Sequence, residues 1–154
     1  MEKCQRIRSL FLDPADSYSL REVATLTDTP VRALRREVAR GGHDATKESG
    51  VWRFAWRQAA CIAMQRWTLA EIQDALGSDA AAVLPPLLAL RAVTVRLPEY
   101  IVRALESIAE KERTTLDAAL HSELIELAGT HLTRLEGTIP GYREAYFFPG
   151  QPQP

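Results

Sequence analysis

The sequence predicts a mainly α-helical protein built from two small units joined by a linker, and three observations carry that prediction. Two capping boxes, Ser19-Leu20-Arg21-Glu22 and Thr68-Leu69-Ala70-Glu71, each open an apolar run of helical spacing. Between them lies an arginine-rich helical segment with Pro30 at its first turn and Gly41–Gly42 at its end. Beyond Pro85–Pro86, which no helix can cross, the run AVTVRL alternates with period two and yields at Leu-Pro-Glu to a long helical pattern.

Composition bounds the class of function. The chain has 154 residues, 46% apolar and 25% charged, which suits one ordinary domain or two small ones with a real core. No apolar run reaches the roughly 18 residues of a membrane helix, and MEKCQRIRSLFLD is too short and too charged for a signal peptide. These features point to a cytoplasmic protein. Cys4 and Cys61 lack a paired spacing, and His43, His121 and His131 are scattered, so neither a disulfide framework nor a metal site is expected. No cofactor is implied. The chain contains no Gly-rich phosphate loop, zinc-protease spacing or nucleophile elbow, and the expectation is a protein that is not an enzyme. Net charge is −1 but unevenly spread: from Arg32 to Arg66 eight basic residues stand against three acidic. From Leu76 onward seven basic residues stand against ten acidic, so a polyanion contact there would depend on a few placed side chains.

Taken in order, residues 1–17 read as an N-terminal extension and residues 18–77 as the first domain. Leu20, Val23, Ala24 and Leu26 form the apolar face of a short helix that Thr27–Asp28 breaks. Thr29 is expected to cap the second helix, in which Val31, Leu34 and Val38 face inward. Arg32, Arg35, Arg36 and Arg40 lie near one outer face at spacings of three and four. Two helices joined by a tight turn make a helix-turn-helix. A polar, Gly-bounded stretch then leads into β-leaning Val51-Trp52-Arg53-Phe54, which would form a wing carrying Lys47 and Arg53. Trp56, Ala60, Met64 and Trp67 resume helical spacing, and Gly77 ends the helix opened by Thr68. The three tryptophans read as core, and Cys61 as a small buried hydrophobe.

Residues 18–77 resemble the winged helix-turn-helix of MerR-type and excisionase-type regulators. SLREVATLT stands as the first helix, PVRALRREV as the recognition helix, VWRF as the return strand of the wing and RWTLAEIQDALG as the closing helix. Arg35-Arg36-Glu37 and Val51-Trp52-Arg53 replace the Tyr-Tyr-Glu and Gly-Tyr-Arg usual in MerR-type proteins, leaving the excisionase-like and effector-sensing branches both open. The resemblance implies DNA contact through Thr29, Arg32, Arg35, Arg36, Arg40, Lys47 and Arg53.

Residues 78–91 form the linker, with Leu84, Leu87, Leu88 and Leu90 expected to pack between the two halves. The strand that follows has no partner in the sequence, and a lone strand leaves backbone groups unpaired, so its partner is expected in another chain. Ile101, Val102, Leu105, Ile108 and Ala109 form a helical stripe after it. A second helix begins after Thr114–Thr115, with Leu116, Ala119, Leu120, Leu124 and Leu127 inward and Gly129 at its close. Strand, helix and helix across residues 92–129 resemble the ribbon-helix-helix family, in which the strands of two chains pair and the ribbon enters the major groove. The resemblance implies a homodimer held by Val93, Val95, Leu97, Leu105, Ile108, Leu120 and Leu124. Thr94 and Arg96 would point at bases and Thr115 would lie at a phosphate.

In the tail, residues 130–154, glycines and prolines forbid long regular structure, yet Tyr142, Tyr146, Phe147 and Phe148 should bury against something. Short prokaryotic regulators with such a tail resemble antitoxins. This implies a partner, a toxin or another protein, on those aromatics and repression of the protein's own operon; the alternative is a tail packed on its own dimer. The overall expectation is a double-stranded-DNA-binding transcriptional regulator. The alternatives are a non-catalytic docking module in which the second unit only dimerises and, less favoured, a nucleic-acid enzyme.

Overall fold

A computed structural model describes residues 2–150, and the fold is mainly helical with one small sheet. The described residues divide into two compact units: residues 2–88 together with the return over 147–150, and the intervening Ala89–Tyr146.

Unit 1 runs α1 (Lys3–Leu12), β1 (Ser17–Ser19), α2 (Leu20–Leu26), α3 (Val31–Ala39), β2 (Thr46–Glu48), β3 (Val51–Ala55), α4 (Trp56–Met64), α5 (Leu69–Leu76) and α6 (Ala80–Val83). β3 is central in an antiparallel sheet of order β1-β3-β2, with Tyr18 opposite Phe54 and Lys47 opposite Trp52. The tight turn at Ser49–Gly50 takes positive φ at both residues, the geometry whose twist matches a two-residue hairpin. One core joins helices and sheet, with Leu10, Val23, Leu34, Phe54, Ala60 and Ile72 fully buried.

Residues 1–17 are not an extension. α1 buries Ile7, Leu10 and Phe11, and Arg8 clamps it to the end of α5 by donating to the carbonyls of Ala75 (3.1 Å) and Leu76 (3.2 Å) and to Asp79 (2.7 Å). A guanidinium there satisfies carbonyls that a helix end leaves without partners. Arg6 and Arg8 interleave with the apolar positions, which is why the helical stripe does not stand out in the sequence.

Both capping boxes form. Ser19 N–H donates to Glu22 Oε2 at 2.6 Å while Glu22 N–H donates to Ser19 Oγ, and Thr68 and Glu71 repeat the exchange at the start of α5. Gly77 closes α5 with positive φ.

In the connector, Leu84 joins the unit 1 core, whereas Leu87 and Leu90 are exposed. Gln73 donates to the Leu88 carbonyl at 2.6 Å.

Unit 2 consists of α7 (Glu99–Glu112), α8 (Leu116–Thr130), α9 (Leu132–Glu136) and α10 (Tyr142–Tyr146). Thr115 caps α8 by accepting from the Ala118 N–H at 3.2 Å. Gly129 does not close this helix, which runs on to Thr130; the missing Cβ instead makes room for the Tyr146 hydroxyl. Residues 89–98 carry no regular secondary structure, so the strand expected over 92–97 does not form within the single chain. A strand needs a neighbour to receive its backbone bonds, and none is present among the described residues of one copy. Among the described residues no helix is long and apolar enough to cross a membrane.

Candidate nucleic-acid interface

The turn between α2 and α3 is rigidly made. Asp28 adopts φ 54°, Thr29 N–H donates to the Ala24 carbonyl at 2.9 Å, and the buried Thr27 hydroxyl donates to the Val23 carbonyl at 2.8 Å. Thr29 differs from expectation: its hydroxyl is engaged with Thr27, and the N-cap of α3 is Pro30. Its role is to hold the turn. The far end of α3 is fixed by Gly41 at φ 76°, whose N–H reaches the Val38 carbonyl at 3.0 Å, and by Gly42, whose N–H reaches the Glu37 carbonyl at 2.9 Å. These two bonds form a Schellman motif.

Held at both ends, α3 buries Leu34 and Val38, while Val31, expected inward, is 36% exposed. Arg32, Arg35, Arg36 and Arg40 are all exposed on the opposite side, within an arc of about 140° at 100° per residue. Among the described residues none of the four forms an ion pair. Glu37, the acid of this helix, is turned aside: Arg66 Nη2 donates to its Oε1 at 3.4 Å, and His43 Nε2 lies 3.2 Å from its Oε2. Its charge is thereby compensated away from the arginine face.

On the hairpin, Lys47 Nζ stands 5.6 Å from the centre of the Trp52 ring, a cation–π contact between directly opposed residues. Arg53 sits on the outer face of β3 opposite both Ser19 and Thr46, where its charge acts on Glu22. The Glu22 carboxyl is held below its ordinary range, chiefly by the Ser19 backbone N–H, then by the Ser19 hydroxyl, and further by Arg53. Arg21 and Arg57, not among the expected contacts, are exposed and also lack an ion pair among the described residues. By contrast Lys3, Arg6, Arg8 and Arg66 are each tied to a carboxylate. No local pattern separates these two groups of cations, because the pairings that divide them span tens of residues of sequence.

Of the tryptophans, Trp67 is buried and Trp52 and Trp56 are half-buried against the core. Burial raises the Cys61 thiol above its ordinary pKa, which leaves it a poor nucleophile. Among the described residues no three His, Cys, Asp or Glu side chains converge to hold a metal ion.

In unit 2, Thr94 and Arg96 are exposed, as are Val93 (69%), Val95 (62%) and Leu97. Of the expected dimer residues, Leu105 is buried, Ile108 and Leu120 are half-buried, and Leu124 is 53% exposed; Leu116 and Leu127, expected inward, are exposed as well. α8 is apolar around most of its circumference, with Leu116, Leu120, Leu124 and Leu127 on one side and Ile125 on another, and one neighbouring helix cannot cover it. The tail aromatics expected to meet a partner make contacts within the chain, and Tyr146 remains 37% exposed. Tyr142 donates to the Ala128 carbonyl at 3.3 Å and stacks on Tyr146, and Phe148 packs on the unit 1 core; Phe147 is half-buried beside it.

Comparison with known proteins finds no family model that matches the chain and no curated protein or solved structure significantly similar to it.

Proposed function

We propose that the protein is a sequence-specific, double-stranded-DNA-binding transcriptional regulator that acts as a homodimer. The observation that carries this reading is the arginine face of α3: four exposed guanidinium groups without ion pairs among the described residues, on a helix held by a buried-threonine turn and a Schellman motif. Cations with no structural task that share one face of a fixed helix suit phosphate oxygens and guanine edges. The order α1-β1-α2-α3-β2-β3, with β3 central, supports reading unit 1 as a winged helix-turn-helix whose second helix is α3.

Dimerisation is supported by unit 2, where an apolar-alternating segment without regular secondary structure and most of α8 face solvent in a single copy. A second copy would pair the segment over 92–97 and cover α8, placing Thr94 and Arg96 on the outer side of the ribbon. The second reading, a docking module in which unit 2 only dimerises, is favoured by the acidic balance from Leu76 onward.

Selection of bound duplexes from a random pool, without added metal, tests the proposal. A single enriched motif with two-fold symmetry is the expected outcome, and binding of no duplex above background would defeat it.

A further inference from the structure

Phe147–Gly150 belongs with unit 1, although unit 2 separates it from the rest of that unit by almost sixty residues of chain. The Phe148 ring stacks on Phe11 at 6.4 Å between centroids and 21° between planes, and meets Trp56 edge-on at 6.3 Å. Phe11 and Trp56 are themselves edge-to-face at 6.2 Å, and Trp56 Nε1 donates to the Leu10 carbonyl at 2.7 Å. The notch is therefore held by unit 1's own bonds. Pro149 is buried, and Gly150 closes a turn by donating to the Phe147 carbonyl at 2.6 Å. At Gly150, φ is 126°, a backbone conformation that favours glycine.

We infer that Phe147–Gly150 is an intramolecular clasp, with Phe148 as its key, that ties unit 2 to unit 1 at both ends. Without the clasp the two units would be joined only through Ala89–Pro98, ten residues without regular structure that can stretch to about 33–36 Å. With it, the chain also passes from α10 directly into the docked segment at the Tyr146–Phe147 bond. A second, short connection restricts the separations the units can reach. If both units touch DNA, which rests on the function proposed above, the clasp restricts the spacing of the sites they read.

The test compares the full chain with a variant carrying a ten-residue Gly-Ser insert between Tyr146 and Phe147. This insert lengthens the return connection and leaves the rings in place. The same insert after Gly150 serves as control, and Phe148→Ala removes the key. Small-angle scattering should show a larger radius of gyration for the first insert than for the control, with Phe148→Ala also expanded. Equal profiles for the two inserts would overturn the clasp; if Phe148→Ala loses far-UV circular dichroism, the insert pair still decides.

On duplexes whose paired sites are moved apart by up to half a helical turn, about 5 bp, the parent should prefer one spacing, and the first insert should flatten that preference at least about fivefold. An unchanged preference would overturn the control of spacing. Failure of the parent to bind any duplex would remove the DNA reading, and scattering alone would then judge the clasp.

Discussion

Arg32, Arg35 and Arg36 do no structural work that the described residues reveal, so replacing each with alanine should change stability by less than about 0.5 kcal/mol. Affinity for a selected duplex should fall by about 1–3 kcal/mol where the arginine reads a base. For a phosphate-binding arginine all sequences should weaken alike, and the salt slope should flatten by about 0.9. Fluorescence anisotropy over a range of salt concentrations separates the two, and three variants that bind like the parent would leave unit 1 a docking module. Glu22 makes a different prediction. Its carboxyl titrates below the unfolded value because Ser19 and Arg53 favour the charged form, so the unfolded chain takes up the proton first as pH falls. The box therefore contributes stability above the unfolded pKa and loses it as pH falls through the lower folded value. Urea midpoints measured from about pH 6 to pH 3 should decline more steeply for the parent than for Glu22→Gln. Parallel curves would show that the capping box does not couple to folding.

Among the elements, α1 and the 92–97 segment lie furthest from expectation, in opposite senses. Leu10 is fully buried under α1, and Leu10→Ala should cost unit 1 about 2–5 kcal/mol by chemical denaturation, as expected where a core leucine leaves a cavity. A loss below about 0.5 kcal/mol would return residues 1–17 to the status of an appendage. In the 92–97 segment, Val95 is exposed in one copy, so Val95→Asp should leave the single chain folded. In a paired ribbon the same substitution buries an uncompensated carboxylate at a cost of several kcal/mol, and sedimentation should show monomers that no longer bind DNA. Arg96→Ala should keep the dimer and lower specific affinity by about 1–3 kcal/mol. If Arg96→Ala and Thr94→Ala both bind like the parent while Val95→Asp dissociates the dimer, the ribbon is a clasp between copies and α3 reads the site.

For the whole molecule, the uneven burial of the two units has a thermodynamic consequence. Unit 1 has a continuous core, whereas unit 2 fully buries little beyond Leu105, Ala109 and Ala119 and leaves Leu116, Leu124 and Leu127 exposed. A dimer formed through unit 2 makes its stability depend on protein concentration. All three tryptophans lie in unit 1, so their fluorescence follows that unit, whereas far-UV circular dichroism follows both. Raising the concentration tenfold should shift the dichroism transition upward by a few degrees and move the tryptophan transition less. Concentration-independent transitions by both probes, with a monomer mass by light scattering, would remove the homodimer.

Local chemistry alone determined the two capping boxes, the Gly41–Gly42 stop, the β3 strand and the arginine face of α3. Each is set by residues within a turn or two of one another, where hydrogen-bonding capacity and backbone freedom act at short range. Thr29 is not the cap of α3, because its hydroxyl has two nearby uses and the buried Thr27 engages it. Tertiary structure decided the rest. α1 became core because Arg8 found the carbonyls at the end of α5, and β1 became a strand because β3 came to lie beside it. Phe148 left the tail for the Phe11–Trp56 notch, over 90 residues away from Trp56 along the chain. Such contacts are chosen by which apolar surfaces and unsatisfied carbonyls remain once the local elements have formed, and that choice exists only after the chain has folded back on itself.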